Sequence, residues 1–359
     1  MKKTSTCLLG AAVIASTALW SCAQAPAADT PRVQVAVDEA GRRVDVTIDG
    51  QPFTSYIWPA SLKKPVLYPI RSAAGTLVTR GYPLDPRPGE RVDHPHQVGL
   101  WLTYGDVNGI DFWNNSDAVA PERRSRMGTI AHQRIVRAEG GDAGVLEVEA
   151  DWVMPDGSVV LSERTRFVFR GTSRDRTIDR ETTLTAGTGR VAMTDNKEGM
   201  FGLRVARALE EPLGKPEVLV GADGSPTPEP VLDDTGVNGE YLTSEGLKGS
   251  AVWGTRARWC VLSGDVGGER VSIAVFDAPS NPGHPTYWHA RGYGLFAANP
   301  LGQKALSGGT DVLDFAIAPG ESATFRYRVL IASGGLTAGQ AEDAWRAWAA
   351  ESTGGGQTR

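Results

Sequence analysis

Histidine is scarce in this chain. Five occur in 359 residues, and four of them fall in two short segments. The first is Asp93-His94-Pro95-His96, running on through Gln97-Val98-Gly99-Leu100-Trp101. The second is Asn281-Pro282-Gly283-His284-Pro285-Thr286-Tyr287-Trp288-His289, which continues through Arg291 and Tyr293 to Gly294. A third segment, Asp195-Asn196-Lys197-Glu198-Gly199, sets an acid beside a base. Imidazoles and carboxylates move protons near neutral pH. Pro95 biases His94 toward extended backbone, and in extended chain residues i and i+2 face one side. His94 and His96 are therefore expected to point together, as an acid–base pair or a metal site requires. A cupin-like metal site also wants a Glu a few residues on, and Gln97, Val98, Gly99 and Leu100 stand there instead. The competing reading is that one ring bonds turn backbone.

The remaining candidates follow from residue type. Glu198 reads as a general base or, with Lys197, as half of an ion pair. Asp106 and Asp111 flank Asn108-Gly109, a tight-turn signal, so Asp106 is expected to cap the turn. Asp111 is kept as a catalytic carboxylate. Arg80 and Arg291 carry planar forks that grip polar ligands. Trp101, Trp113 and Trp288 offer planes suited to the C–H faces of sugar rings, with core packing as the rival for at least one. The expected catalytic set is His94, His96, Glu198, His289 and Asp111, with a histidine as acid and Glu198 as base. The expected substrate contacts are Arg80, Arg291, Trp101, Trp113, Trp288 and Lys197. Arg80, His94, His96, Glu198, His289 and Arg291 are expected to meet in one cleft. No cofactor is expected, and a divalent metal on His94, His96 and His289 stays open. His132 reads as structural.

These residues need a scaffold, and the scaffold reads as β. Val33, Val35 and Val37 alternate, as do Val44, Val46 and Ile48 before the hairpin turn Asp49-Gly50. Leu146, Val148, Ala150, Trp152 and Met154 line one strand face. Pro155-Asp156-Gly157 turns the chain, and Val159, Leu161, Thr165, Phe167 and Phe169 return. Further strands are expected near 176–185, 270–277, 312–317 and 324–331. Leu336 and Thr337 ahead of Gln340 form a staple and capping box, opening a helix over 341–350 whose Trp345 and Trp348 pin it to a sheet. The expected class is all-β, a large antiparallel β-sandwich of the mutarotase-like supersandwich type, with a short C-terminal helix. One domain is expected over 32–351, and the polar stretch 211–240 reads as an exposed insertion.

Composition sets the compartment and removes some function classes. The net charge of −5 and pI near 5.7 leave no basic footprint for nucleic acid. Lys2 and Lys3 precede an apolar run from Cys7 to Trp20, too short for a membrane span and right for a signal-peptide core. Ser21-Cys22 then resembles a lipobox. The expectation is a signal peptide over 1–21, a tether over 22–31 and a periplasmic or outer-membrane lipoprotein anchored through Cys22. Cys260 then stands alone and reads as a buried structural thiol.

Tyr68-Pro69-Ile70, Thr79-Arg80-Gly81-Tyr82-Pro83, Asp93-His94-Pro95-His96, Gly105-Asp106-Val107-Asn108-Gly109, Lys197-Glu198-Gly199 and the 281–289 segment together resemble an uncharacterised bacterial family labelled "methane oxygenase PmoA". The true membrane methane monooxygenase subunit crosses the bilayer several times. This chain has one apolar leader, so methane oxidation is excluded. The resemblance implies an exported protein of carbohydrate metabolism and assigns no catalytic residue. Three functions remain: a carbohydrate-active hydrolase, lyase or epimerase; a non-catalytic sugar-binding lipoprotein; or a His-metal oxygenase or isomerase. The anchor has a direct check. Changing Cys22→Ala should move the protein from the membrane fraction to the soluble periplasm, and a soluble wild type would rule out the lipobox.

Overall fold

The computed structural model describes residues 1–3 and 32–354. Cys22, the tether and nearly all of the leader lie outside the described residues. Alternating burial drives the rest of the chain into two facing sheets. In Gly144–Val153 every second side chain is buried, and Asp175–Ala186 alternates in the same way. Among the described residues each large sheet has eight strands. The first runs, in spatial order, Val33–Asp38, Arg43–Ile48, Gln51–Ile57, Val66–Leu67, Leu100–Tyr104, Gly199–Arg204, Leu295–Asn299 and Tyr287–Ala290. The second runs Glu240–Thr243, Trp259–Val266, Glu269–Asp277, Ser322–Ser333, Asp175–Ala186, Val159–Gly171, Gly144–Val153 and Thr129–Glu139. Neighbouring strands pair antiparallel throughout. Leu102, Phe201 and Phe296 of the first sheet share one apolar cluster with Trp152, Phe167 and Ile178 of the second. The expected sandwich with a C-terminal helix is what the chain forms.

The first sheet is covered twice. Leu100–Tyr104 and Gly199–Arg204 are buried at every position. Their inner residues meet the second sheet. On the outer face Trp101, Leu295 and Ala297 pack with Tyr68, Val98 and Trp113 from the covering loops. Burial on both faces erases the alternation that marks a half-buried strand. Segments 100–104, 199–204 and 287–290, read in sequence as parts of functional loops, are therefore strands, the first two central in the sheet and the last at its edge. The strand expected over 312–317 shrinks to Ala316–Ile317, paired with Val191–Ala192. Val312 is 51% exposed and Asp314 takes a positive φ of 48°, which ends the extended run.

The helix spans Ala338–Gly354 and lies on the outer face of the second sheet, where Trp348 packs with Trp259 and Phe276. Its capping box is reciprocal: the Thr337 N–H donates to Gln340 Oε1 at 2.9 Å, and the Gln340 N–H donates to Thr337 Oγ1 at 3.3 Å. The indole of Trp345 donates to the Asp277 carbonyl at 3.0 Å. Glu342 accepts from the Trp259 indole at 2.8 Å and from Arg258 at 3.0 and 3.1 Å. Burial pushes the Glu342 carboxyl up, but the bonds from Trp259, Arg346 and Arg258 outweigh it and bring it down to about 2. Glu342→Ala should cost about 1–3 kcal/mol in urea unfolding at pH 7. A carboxylate held low in the fold stabilises above the usual carboxylate range and stops doing so as pH falls toward 2. The gap between wild type and variant should therefore narrow below about pH 4.5.

Candidate functional site

The outer face of the first sheet carries the polar groups. Leu203 points into the core, so Arg204 points outward. Trp288 and Ala290 point inward, so His289 points outward. Register places Trp101, Gly202, Ala297 and His289 in one row across four strands. A Cβ on Gly202 would lie 2.6 Å from the Trp101 indole. Only glycine lets Trp101 and Trp113, ring centroids 5.2 Å apart, lie against this floor.

Buried arginines hold the loop over that floor. Arg80, Arg91 and Arg204 are each at most 1% exposed. Asp93 Oδ1 pairs with Arg80 and, at 2.7 Å, with Arg204. Arg80 also donates to the carbonyls of Asp93, His94 and Gln97 at 2.9, 3.0 and 3.0 Å. Arg204 donates to Gln97 Oε1 at 2.6 Å. Arg91 bonds Glu210 at 2.5 Å and Glu217 at 2.7 Å. Burial alone would raise the Asp93 carboxyl. The His94 hydrogen bond and the Arg204 and Arg80 charges hold it well below the usual carboxylate range instead. Burial, with the neighbouring Arg204 charge, brings Arg80 down to about 10, so it stays a cation.

This loop presents His94. Its backbone takes a positive φ of 41°, and its carbonyl accepts from the Gln97 N–H at 2.9 Å. His94 is therefore left-handed at the head of a tight turn, not extended as expected. The carbonyl ties that Arg80 makes to residues 93, 94 and 97 hold it there, overriding the local bias of Pro95. His94 Nδ1 lies 3.1 Å from Asp93 Oδ2, and the side chain is 41% exposed. The ring stacks flat on Tyr293, 5.0 Å between centroids and 3° between planes. The guanidinium carbons of Arg204 and Arg291 stand 4.9 and 5.6 Å from the same Tyr293 ring. Arg291 also stands 5.6 Å from Trp253, which is 39% exposed.

His289 completes the group from below. It is buried, its ring bonds the Lys197 backbone, and its Nδ1 has no partner. Burial, helped by the Lys197, Arg291 and His94 charges, lowers it to about 3. It is a neutral imidazole at any ordinary pH. Glu198 is ion-paired with Lys197, and its charge is felt by Tyr293. The ion-pair reading of Glu198 is the one the geometry carries. Glu211 makes no side-chain hydrogen bond among the described residues and lies against Gly292. Burial, with Glu240, raises its carboxyl.

Four of the six residues expected in one cleft, His94, Glu198, His289 and Arg291, gather around Tyr293. Arg80 lies beneath, its fork occupied by Asp93 and backbone, so it is not a free substrate contact. His96 turns away. Its ring centroid is 5.7 Å from that of His94, but it lines a separate cavity beside Lys64. Asp111 is a turn cap: it accepts from the Trp113 and Asn114 N–H groups at 2.8 and 2.9 Å and from Asn114 Nδ2 at 2.8 Å. Asp106 caps its turn as expected, accepting from the Gly109 N–H at 2.8 Å. Trp101, Trp113 and Trp288 are fully buried and present no ring to a sugar. Trp288 donates to the Ala257 carbonyl inside the core. His284 lies 2.7 Å from Asp277, which anchors its own turn by accepting from Asn281 and the Thr286 N–H. His132 is structural, bonded to Tyr56 at 3.1 Å, and Cys260 is a buried free thiol. Among the described residues no three His, Cys, Asp or Glu side chains gather as a metal site. The sequence reading gave Tyr293 no role although it stands in the second histidine segment, and it missed Trp253 and Glu211, because an isolated aromatic or acid carries no signal by spacing.

A family model described as a family of unknown function (DUF6807) matches residues 43–346. That agrees with an uncharacterised family, and the match carries no methane-oxygenase label. No curated protein matches. Solved structures are similar at low identity. The galactosidase domain of an alpha-galactosidase–sucrose kinase is 9% identical with a TM-score of 0.37, over 84% of this chain and 42% of that one. This chain thus spans less than half of that protein. A galactose mutarotase-like protein from Clostridium acetobutylicum is 9% identical with a TM-score of 0.32, over 84% and 98%. A glycoside hydrolase family 97 enzyme from Pseudoalteromonas, solved in complex with acarbose, is 10% identical with a TM-score of 0.30, over 84% and 34%.

The arginine pairing makes a plain stability forecast. Asp93→Asn leaves Arg80 and Arg204 buried without their shared charge and should cost about 3–5 kcal/mol in urea unfolding. Arg291→Ala, at the rim, should cost less than about 1 kcal/mol.

Proposed function

We propose that this chain, which belongs to the DUF6807 family of unknown function, is an exported carbohydrate-active enzyme that works by proton transfer at the Tyr293 cluster. The observation that carries this reading is the stack Trp253–Arg291–Tyr293–His94. It puts an exposed aromatic face, a cation and an oriented imidazole along one wall, beside Glu198. A sugar offers what that wall takes: C–H faces for Trp253 and hydroxyls for Arg291 and Lys197. Asp93 accepts from His94 Nδ1–H, which leaves Nε2 as the atom that takes up a proton and, from the imidazolium, delivers it as a general acid. Glu198 is the base. His289, neutral throughout, has a free Nδ1 lone pair to offer a ligand hydroxyl and does not supply a proton. Of the carboxylates weighed as a partner for Glu198, Asp93 is taken up by two arginines, and Asp106 and Asp111 by turns. Glu211, whose carboxyl burial raises, is a carboxyl without a hydrogen-bond partner among the described residues, and a hydrolase would need it as the second carboxylate. An epimerase or lyase needs only His94 and Glu198. Export and the lipid anchor at Cys22 rest on the leader pattern and belong to the same proposal.

The test is turnover on a panel of oligosaccharides and monosaccharides, read as new reducing ends, unsaturated products or epimer exchange by NMR. His94→Gln and Glu198→Gln should each lower kcat by about 10²–10⁴-fold with the fold intact. Trp253→Ala should raise KM and leave kcat nearly unchanged. Binding that needs Trp253, without turnover, would make the protein a sugar-binding lipoprotein. Neither binding nor turnover would overturn the carbohydrate reading.

A further inference from the structure

Lys64 is a buried amine that the proposed chemistry does not use. It is 4% exposed, and its Nζ donates to the His96 carbonyl at 2.7 Å, with the Trp101 ring centroid 5.5 Å away. Among the described residues it has no ion pair. The carboxylate whose charge it feels is Asp111, and both Asp111 oxygens are taken up by the 111–114 turn. A buried ammonium with no bonded counter-charge is costly, and such a group gives up its proton instead. Burial accordingly brings Lys64 down to about 7, with Asp111 opposing.

Lys64 lines a cavity of about 390 Å³, within the range of small-molecule sites. Tyr82, Asn115 and His96 give it polar lining, and Leu84 and Val98 give it apolar lining. His96 is buried with no partner on Nε2, and burial, with the Lys64 charge adding, lowers it to about 2, so this ring is neutral. The cavity shares Lys63, Asn115, Ser116 and Asp117 with an adjoining one of about 890 Å³.

We propose that Lys64 is a nucleophilic amine in a second site, which takes a small hydroxylated aldehyde or ketone and holds it as an imine. The Nζ lone pair adds to the carbonyl carbon. The carbonyl oxygen gains a proton as the nitrogen loses one, giving a carbinolamine. Its hydroxyl leaves as water with the second N–H proton, and a C=N bond remains. One water is released per ligand, and no oxidant or reductant is consumed. Water carries the proton between nitrogen and oxygen, and His96 Nε2, an uncharged acceptor, orients the carbinolamine hydroxyl. The hydroxyls of the ligand meet the polar lining, and its carbon chain meets Leu84 and Val98.

The experiment is reductive trapping on the whole protein, which needs no variant. Protein is incubated with glycolaldehyde and cyanoborohydride between pH 5 and 10, and the modified lysines are located by peptide mass mapping. At pH 7 an amine titrating near 7 is about half neutral, whereas an ordinary lysine at about 10.4 is neutral in roughly one part in a few thousand. Lys64 should be labelled at least about tenfold faster than Lys197, Lys215 or Lys248, with a half-maximal rate near pH 7. His96→Gln should slow trapping at Lys64 and leave the surface lysines unchanged. Lys64 left unmodified, or labelled no faster than the surface lysines, would overturn the proposal. Equal trapping of acetaldehyde and glycolaldehyde would overturn the ligand class.

Discussion

Charge compensation under burial is the constraint on which the rest of this molecule hangs. Arg80, Arg91 and Arg204 lie out of water on the outer face of the first sheet. Removing a guanidinium from water is expensive unless carboxylates and carbonyls meet its fork. Asp93, Glu210 and Glu217 supply the charges, and the carbonyls of residues 93, 94 and 97 supply the acceptors. A loop tied at that many points has few alternative conformations. The same ties force His94 into the left-handed region, a conformation that costs about 1–3 kcal/mol and persists only where surrounding bonds over-determine it. The sandwich core makes the same kind of arrangement once more. There Glu163 accepts from Arg180 and the Trp152 indole, each at 2.9 Å, so that buried charge is also matched.

The arrangement sorts three imidazoles by environment. His94 stands at the rim, oriented by Asp93 and held flat by Tyr293. His289 and His96 are buried and lowered to about 3 and about 2, so each is an uncharged ring with one free nitrogen. Two of these rings therefore stay neutral, and the third is held at the rim between Asp93 and Tyr293. Backbone geometry and burial make the distinction, because the free imidazole is the same in all three.

Tyr293 is the hub. Its ring receives His94 on one side of the stack and the charges of Arg204 and Arg291 near its face. Burial pushes its own phenol up, so the ring stays neutral and its π face stays available to cations. The same turn carries Arg291 to Trp253, which extends the wall to solvent.

The sequence by itself determined the second sheet and its helix. Leu146 through Trp152 alternate because one face meets a core and the other meets water, and that asymmetry is written residue by residue. Thr337 and Gln340 set the helix start through bonds three residues apart, which a local pattern records fully. The sequence also singled out His94, Glu198, His289 and Arg291 by composition alone. Only the tertiary structure decided what surrounds them. Leu100–Tyr104 and Gly199–Arg204 are buried on both faces, so no periodicity marks them as strands. Trp101, Trp113 and Trp288 look like sugar platforms until loops close over the first two and the core takes in the third. Asp93, the carboxylate that fixes the site, meets Arg204 across 111 residues of chain. No local pattern encodes a pairing of that length, because its energy exists only once burial has removed the water from both partners.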